Sequence, residues 1–122
     1  MRAALACLLA CIGVYPAAAQ SLDIEGVLGN EEGCEHLRAG NSISDLWLLL
    51  RPDFLEGAVI GCQFVEVIGA ADGTQGVTGL CSHEGEETRE MRRFVIASDP
   101  TDPQARLVFE DGALWDRVAT CE

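Results

Sequence analysis

The segment CQFVEVIGAADGTQGVTGLC, residues 62–81, begins and ends with a cysteine and constrains the fold more than any other part of the chain. Its flanks are rich in β-branched and apolar residues, and its Gly- and Asp-containing centre tolerates the backbone angles of a tight turn. A turn at Asp72-Gly73 places Cys62 and Cys81 diagonally across a hairpin, whereas a turn at Ala71-Asp72 places them directly opposite. Both registers put the two sulfurs on one face, so the segment predicts a disulfide-bridged hairpin.

The N-terminus predicts export. One basic residue precedes a short apolar run, and small residues follow before the chain becomes polar, which is typical of a secretory signal peptide cleaved after Ala19. The run is shorter than the roughly 20 apolar residues that span a bilayer. We therefore predict a signal peptide at residues 1–19 and a single periplasmic or secreted domain at residues 20–122, without a transmembrane span. Lipidation of Cys11 is the alternative.

Four cysteines remain after residues 1–19 are removed, namely Cys34, Cys62, Cys81 and Cys121. An even number in a small exported domain is typical of a disulfide framework. Their spacings are too wide for the close pairs of a zinc site or a redox-active dithiol. If Cys62 pairs with Cys81, then Cys34 pairs with Cys121; pairing of Cys34 with Cys62 and of Cys81 with Cys121 stays open.

Strand and turn patterns predict a mainly β fold. A short helix near residues 30–38 is capped by Asn30, is stopped by Gly40, and is expected to carry Cys34 and Leu37 inward. The predicted strands are residues 46–51, 54–60, 61–69, 76–84, 87–97 and the two arms of a hairpin around Asp111-Gly112. We expect a small antiparallel meander, a curled sheet or a small barrel of six or seven strands, with one short helix and two disulfides.

The Asp111-Gly112 turn sets the register of the last hairpin. A two-residue loop places Arg106 opposite Arg117, which is an unfavourable pair of like charges. Trp115 and Val108 are predicted on the outer face. The predicted core face carries Ala105, Leu107, Phe109, Leu114 and Val118.

The predicted mature chain is strongly acidic. It contains 20 acidic residues, no lysine and, once Arg2 is removed, seven arginines, which gives a net charge of −13. Nucleic acids and anionic membranes require clustered positive charge, so neither is expected as a partner. The acidity suits a basic partner, for example a basic secreted hydrolase that the protein would inhibit.

The sequence contains no recognisable motif for catalysis or cofactor binding, such as a nucleophile elbow or a glycine-rich phosphate loop. We therefore predict a non-enzymatic protein without a cofactor that binds an unknown protein or envelope component. The candidate contact residues are Trp115 and three arginines. On a strand, Arg89 and Arg93 share one face, whereas Arg92 lies on the other face with Phe94.

Two alternative functions stay open. The apolar run at residues 59–68 is compatible with a small barrel that binds an apolar ligand. A metal-binding domain would use His36 or His83, both of which lie among carboxylates.

Overall fold

The computed structural model describes residues 21–41 and 44–122, so the predicted signal peptide and Cys11 lie outside the described residues. Eight antiparallel strands form a closed barrel in which each strand pairs with its neighbours in sequence and the last pairs with the first. The elements are β1 (Leu28–Gly29), α1 (Glu31–Ala39), β2 (Leu48–Leu50), β3 (Phe54–Gly57), β4 (Ile60–Gly69), β5 (Gln75–His83), β6 (Arg89–Asp99), β7 (Asp102–Glu110) and β8 (Ala113–Thr120). The predicted fold class, with one short helix and two disulfides, is confirmed.

The predicted strand count of six or seven is wrong because β1 was missed. This strand is only two residues long, too short to show the alternation of apolar and polar residues that marks a strand. It nevertheless closes the barrel, since Leu28 lies opposite Leu50 of β2 on one side and Thr120 of β8 on the other.

Both predicted disulfides are present. Cys62 on β4 lies directly opposite Cys81 on β5, and both are fully buried. Cys34 on α1 is bonded to Cys121, which follows β8. The alternative pairing is therefore ruled out. A β-bulge between Phe64 and Glu66 shifts the register closer to the turn.

The barrel interior is filled by side chains. Leu22, from the segment that precedes β1, enters the core at the end of the barrel where β2 turns into β3 and donates its backbone N–H to Pro52 O at 2.7 Å. The buried core cluster consists of Leu22, Leu28, Leu48, Leu50, Leu55, Ile60, Cys62, Phe64, Val67, Val77, Cys81, Phe94, Ile96, Val108 and Val118.

Helix α1 packs against β2 through a glycine. Asn30 caps the helix and Gly40 ends it in the left-handed conformation, as predicted. Gly33 is buried, and a Cβ atom at this position would lie 2.1 Å from Leu48 O, so the helix and strand backbones are in direct contact. The expectation that Leu37 faces inward is wrong: the residue is 42% exposed, and α1 approaches the barrel through Gly33, one turn earlier.

The predicted register of the last hairpin holds only next to the turn. Phe109 lies opposite Leu114 as expected, but a bulge at Trp115 then shifts the pairing by one residue. Arg106 therefore lies opposite Val118 and not opposite Arg117. The bulge avoids the like-charge pair that the regular hairpin would have produced.

The core face of the last hairpin differs from the predicted one. Ala105 and Val118 are buried as predicted. Val108, expected on the outer face, is in the core instead of Leu107 and Phe109, and Leu114 is 55% exposed. β7 has no bulge in its pairing with β8, so its core face is simply the opposite of the predicted one, and Leu114 lies outside together with its partner Phe109. The bulge on β8 changes the face of the residues that follow it, which puts Val118 on the same side as Val108.

An ion-pair cluster links β6, β7 and β8 near the β6–β7 turn. Arg117 Nε donates to Asp99 Oδ2 at 2.6 Å, and its Nη2 donates to Asp102 Oδ2 at 3.1 Å. The Arg117 hydrogen bond, together with the Thr101 backbone N–H and hydroxyl, lowers the pKa of Asp99 to about 2.

Replacing Gly33 by Ala should destabilise the protein, because the added methyl group collides with the Leu48 carbonyl. We expect the free energy of unfolding to fall by about 1–3 kcal/mol, as for other overpacked sites. Gly69→Ala is the matched control, since nothing lies within 4 Å of a Cβ at Gly69 and its φ is not positive. Chemical denaturation of both variants tests this; equal stabilities would contradict it.

The Asp99 ion pair predicts a specific pH dependence. Because the folded-state pKa is about 2 and the ordinary value is 3.8, the stabilisation by Asp99 is present above pH 3.8 and is lost as the pH falls through about 2. The difference in Tm between the wild type and Asp99→Asn should therefore be largest above pH 4 and shrink towards pH 2. Glu25→Gln, at an exposed carboxylate, controls for the lost charge. A difference that stays constant from pH 5 to pH 2 would refute this assignment.

Candidate functional site

The connections between strands fall at two ends of the barrel, because successive strands run in opposite directions. One end carries α1 with the rest of the β1–β2 connection, and also the β3–β4, β5–β6 and β7–β8 turns. We call it the α1 end. Its connections contain a single arginine, Arg38, against eight carboxylates. These are Glu31, Glu32, Glu35, Asp45, Glu84, Glu86, Glu87 and Asp111.

An open concavity of about 360 Å³ lies at the α1 end, between α1, the segment before β2, the β3–β4 turn and the start of β8. Its lining includes the carboxylates of Glu32, Asp45 and Asp116 and the indoles of Trp47 and Trp115. We call it the α1-end pocket. Acidic and aromatic side chains that are distant in the sequence therefore meet at one depression.

The lining of the α1-end pocket includes exposed apolar side chains. Leu46 is 74% exposed and Val59 is 55% exposed, while Trp115 is 38% exposed. Apolar groups of this size beside carboxylates resemble the composition of a binding surface with an apolar centre and a polar rim.

Asn30 holds the elements around the pocket together. Its side chain is nearly buried, and its Oδ1 accepts hydrogen bonds from Gly33 N at 2.7 Å and Leu48 N at 2.9 Å. Its Nδ2 donates to Leu46 O at 2.7 Å and to Asp116 Oδ2 at 2.8 Å. One amide therefore fixes the start of α1, the strand β2 and the Asp116 carboxylate relative to one another.

The negative charge of the pocket has no cationic partner within the described parts of the chain. Asp116 accepts from two neutral donors, the Asn30 amide and Arg117 N, while the Arg117 guanidinium is bound to Asp99. Glu32 and Asp45 have no side-chain hydrogen bond or ion pair to any residue in 21–41 or 44–122. The three carboxylates are consequently available to an external cation.

Both indoles of the pocket are braced by another ring. Trp47 stacks on His36 with the ring centroids 4.0 Å apart and the planes 8° from parallel. Trp115 lies 6.0 Å from the buried Phe94 ring. The bulge at Trp115 interrupts the regular alternation of β8, and the side chain is partly exposed while its ring lies beside the buried Phe94.

The three predicted arginines do not form one site. Arg89 and Arg93 lie with the exposed Met91 on the outer face of β6, and Arg92 lies on the inner face with Phe94, as the alternation predicted. Arg92 is ion-paired with Glu110. None of the three lines the α1-end pocket, whereas Trp115 does.

The two histidines lie in separate contacts. His36 stacks on Trp47, and His83 Nε2 is 2.9 Å from Glu90 Oε1. Among residues 21–41 and 44–122, no group of three or more His, Cys, Asp or Glu side chains is arranged to hold a metal ion. The metal-binding domain and the apolar-ligand barrel stay predictions.

No helix in the described part of the chain is long and apolar enough to cross a membrane.

Asn30→Ala should loosen the α1 end. The substitution removes the helix cap and leaves the Leu48 N–H and the Leu46 carbonyl without their partner, which should cost about 2–4 kcal/mol in the free energy of unfolding. Asn41→Ala, at an exposed position just beyond α1, is the control and should have little effect. Denaturation monitored by tryptophan fluorescence measures the free energy of unfolding of both variants. A loss below about 1 kcal/mol in Asn30→Ala would show that the Asn30 side chain does not hold these elements together.

Comparison with known proteins identifies no relative. No family model matches the chain, and neither a curated protein nor a solved structure matches it. A function can therefore be inferred only from the geometry and charge of the barrel.

Proposed function

We propose that this protein is an exported, non-enzymatic binding domain whose α1 end docks onto a positively charged protein. The observation that carries the proposal is the α1-end pocket, in which unpartnered carboxylates adjoin exposed apolar side chains. Exposed apolar groups beside charge mark interaction sites more often than scattered surface residues do.

The two kinds of group have different roles in docking. The aromatic and aliphatic side chains, Trp115, Leu46 and Val59, supply the contact area that is removed from water. The carboxylates of Glu32 and Asp45 steer a basic partner towards this end and discriminate against acidic ones. The net charge of −13 for the predicted mature chain adds a long-range attraction to the same class of partner.

Export is supported by two independent features. The sequence before residue 20 is typical of a signal peptide. The described domain contains two disulfides, which persist in oxidising compartments such as the periplasm or the extracellular space. A partner in the same compartment, either a secreted protein or a component of the envelope, follows from this location.

Inhibition of a basic secreted hydrolase is the sharpest form of the proposal. A closed barrel stapled by two disulfides loses little conformational entropy on binding, which favours tight complexes. An end with apolar and acidic groups suits docking over the cleft of an enzyme with a positively charged rim. The barrel itself would then act by blocking access to that cleft.

Charge reversal at the α1 end should abolish binding. The mature protein is tested by biolayer interferometry against a panel of basic secreted hydrolases and acidic counterparts, at 20 mM and 500 mM salt. We expect binding to a basic member that weakens with salt and falls at least tenfold in Glu32→Lys/Asp45→Lys, or about 1.4 kcal/mol.

Glu25→Lys/Glu66→Lys is the matched control. It changes the net charge equally at two exposed positions outside the α1 end, and should reduce binding much less. An equal loss in both double variants would mean that only net charge matters, and absence of binding to every basic member at 20 mM salt would refute the proposal.

A further inference from the structure

We propose that the α1-end pocket binds one arginine side chain of the partner, with the guanidinium held by the pocket carboxylates and stacked on an indole. This inference rests on the proposed function, since it names the group that the basic partner inserts. It identifies a binding site for a guanidinium cation.

The charge of the pocket favours a cation. Glu32, Asp45 and Asp116 all line it, and the arginines paired elsewhere leave these carboxylates uncompensated within the described residues. Asp116 is held in place by the Asn30 amide, and each of its oxygens has a second lone pair for a further donor. A preorganised carboxylate loses less entropy on binding than a mobile one.

The aromatic side chains favour a flat cation. Cations bind over indole faces, and tryptophan is the best aromatic residue for this interaction. Trp47 and Trp115 are each steadied by a second ring, His36 and Phe94 respectively, and both still line the pocket. A guanidinium is planar, stacks on an aromatic ring and donates two parallel hydrogen bonds to a carboxylate, whereas a lysine ammonium is a compact and strongly hydrated charge.

The size and lining of the pocket suit a long side chain. A volume of about 360 Å³ lies at the lower end of the range for small-ligand sites. Leu46 and Val59 offer apolar contacts to the aliphatic stem of an arginine, which characteristically packs against such groups while its charged head reaches polar partners.

A second groove provides an internal control. It lies on the outer face of β4–β6, has a similar volume of about 370 Å³, and is lined by Glu66, Ile68, Arg93 and Val95 among others. It combines one carboxylate with an arginine and contains no tryptophan. This groove should therefore not bind an external guanidinium.

The test uses the two indole N–H signals in the NMR spectrum, because Trp47 and Trp115 are the only tryptophans of the chain. The folded mature protein is titrated with N-acetyl-arginine methylamide, its lysine analogue and its uncharged citrulline analogue. We expect both signals to shift and saturate with the arginine probe, with a Kd on the order of 1–10 mM, several-fold weaker with lysine, and not with citrulline.

Variants locate the probe. Asp45→Asn and Glu32→Gln should each weaken arginine binding at least fivefold, whereas Glu66→Gln in the outer groove should leave it unchanged. Equal shifts with arginine and citrulline, or no saturable shift at all, would overturn the inference. Equal affinity for arginine and lysine would overturn its selectivity for a guanidinium.

The arginine titration and the test of the proposed function can fail independently of each other. If no probe binds but the charge reversal Glu32→Lys/Asp45→Lys still abolishes capture of a basic protein, the arginine pocket is wrong and the docking end is right. If arginine binds at the pocket and no basic protein is captured at low salt, the pocket is right and the proposed function is wrong.

Discussion

The barrel is closed through a strand of only two residues, β1. We call its pairing with β2 and β8 the seam of the barrel, and the rest of the structure depends on how this seam is stabilised. β1 pairs with β2 and β8 through Leu28 and Gly29 alone. Two contacts between residues that are distant in the sequence reinforce it: the Cys34–Cys121 disulfide and the Asn30 hydrogen bonds. A cross-link over a separation of 87 residues contributes roughly 4.5 kcal/mol in the chain-entropy model, which is a large part of the 5–15 kcal/mol stability typical of a domain. We infer that the seam is stabilised mainly from outside the sheet.

The same contacts build the candidate site. Asn30 continues the ladder from β1 and also fixes Leu46 and Asp116, both of which line the α1-end pocket. Gly33 lets α1 lie directly on β2, which brings Glu32 towards the pocket. Barrel closure and binding geometry are therefore coupled in one small region. In the proposed docking, these contacts already hold the residues of the α1 end in place, which lowers the entropic cost of association.

The sequence predicts features that depend on local chemistry or on covalent pairing. The Cys62–Cys81 hairpin, the Asn30 cap and the alternating faces around Arg92 follow from short-range patterns, and all three are observed. The strand β1 is too short to have a pattern. The α1-end pocket joins residues from positions 32 to 116, and no spacing in the sequence brings Trp47 and Trp115 together. Their proximity follows only from the closed topology of the barrel, which places several connections at the same end.

The bulge at Trp115 was not predicted from the sequence, and it helps to form the candidate site. In a regular hairpin Trp115 would lie opposite the buried Val108, and Arg106 and Arg117 would face each other across the strands. The extra residue moves Arg117 towards Asp99 and leaves the Asp116 carboxylate to Asn30. It also brings the Trp115 indole beside Phe94 at the α1 end of the barrel. Bulges are frequent next to functional sites because they redirect a side chain without breaking the sheet. Here the redirected side chains are an indole and a carboxylate that has no cationic partner among residues 21–41 and 44–122, the two kinds of group that the proposed guanidinium would contact.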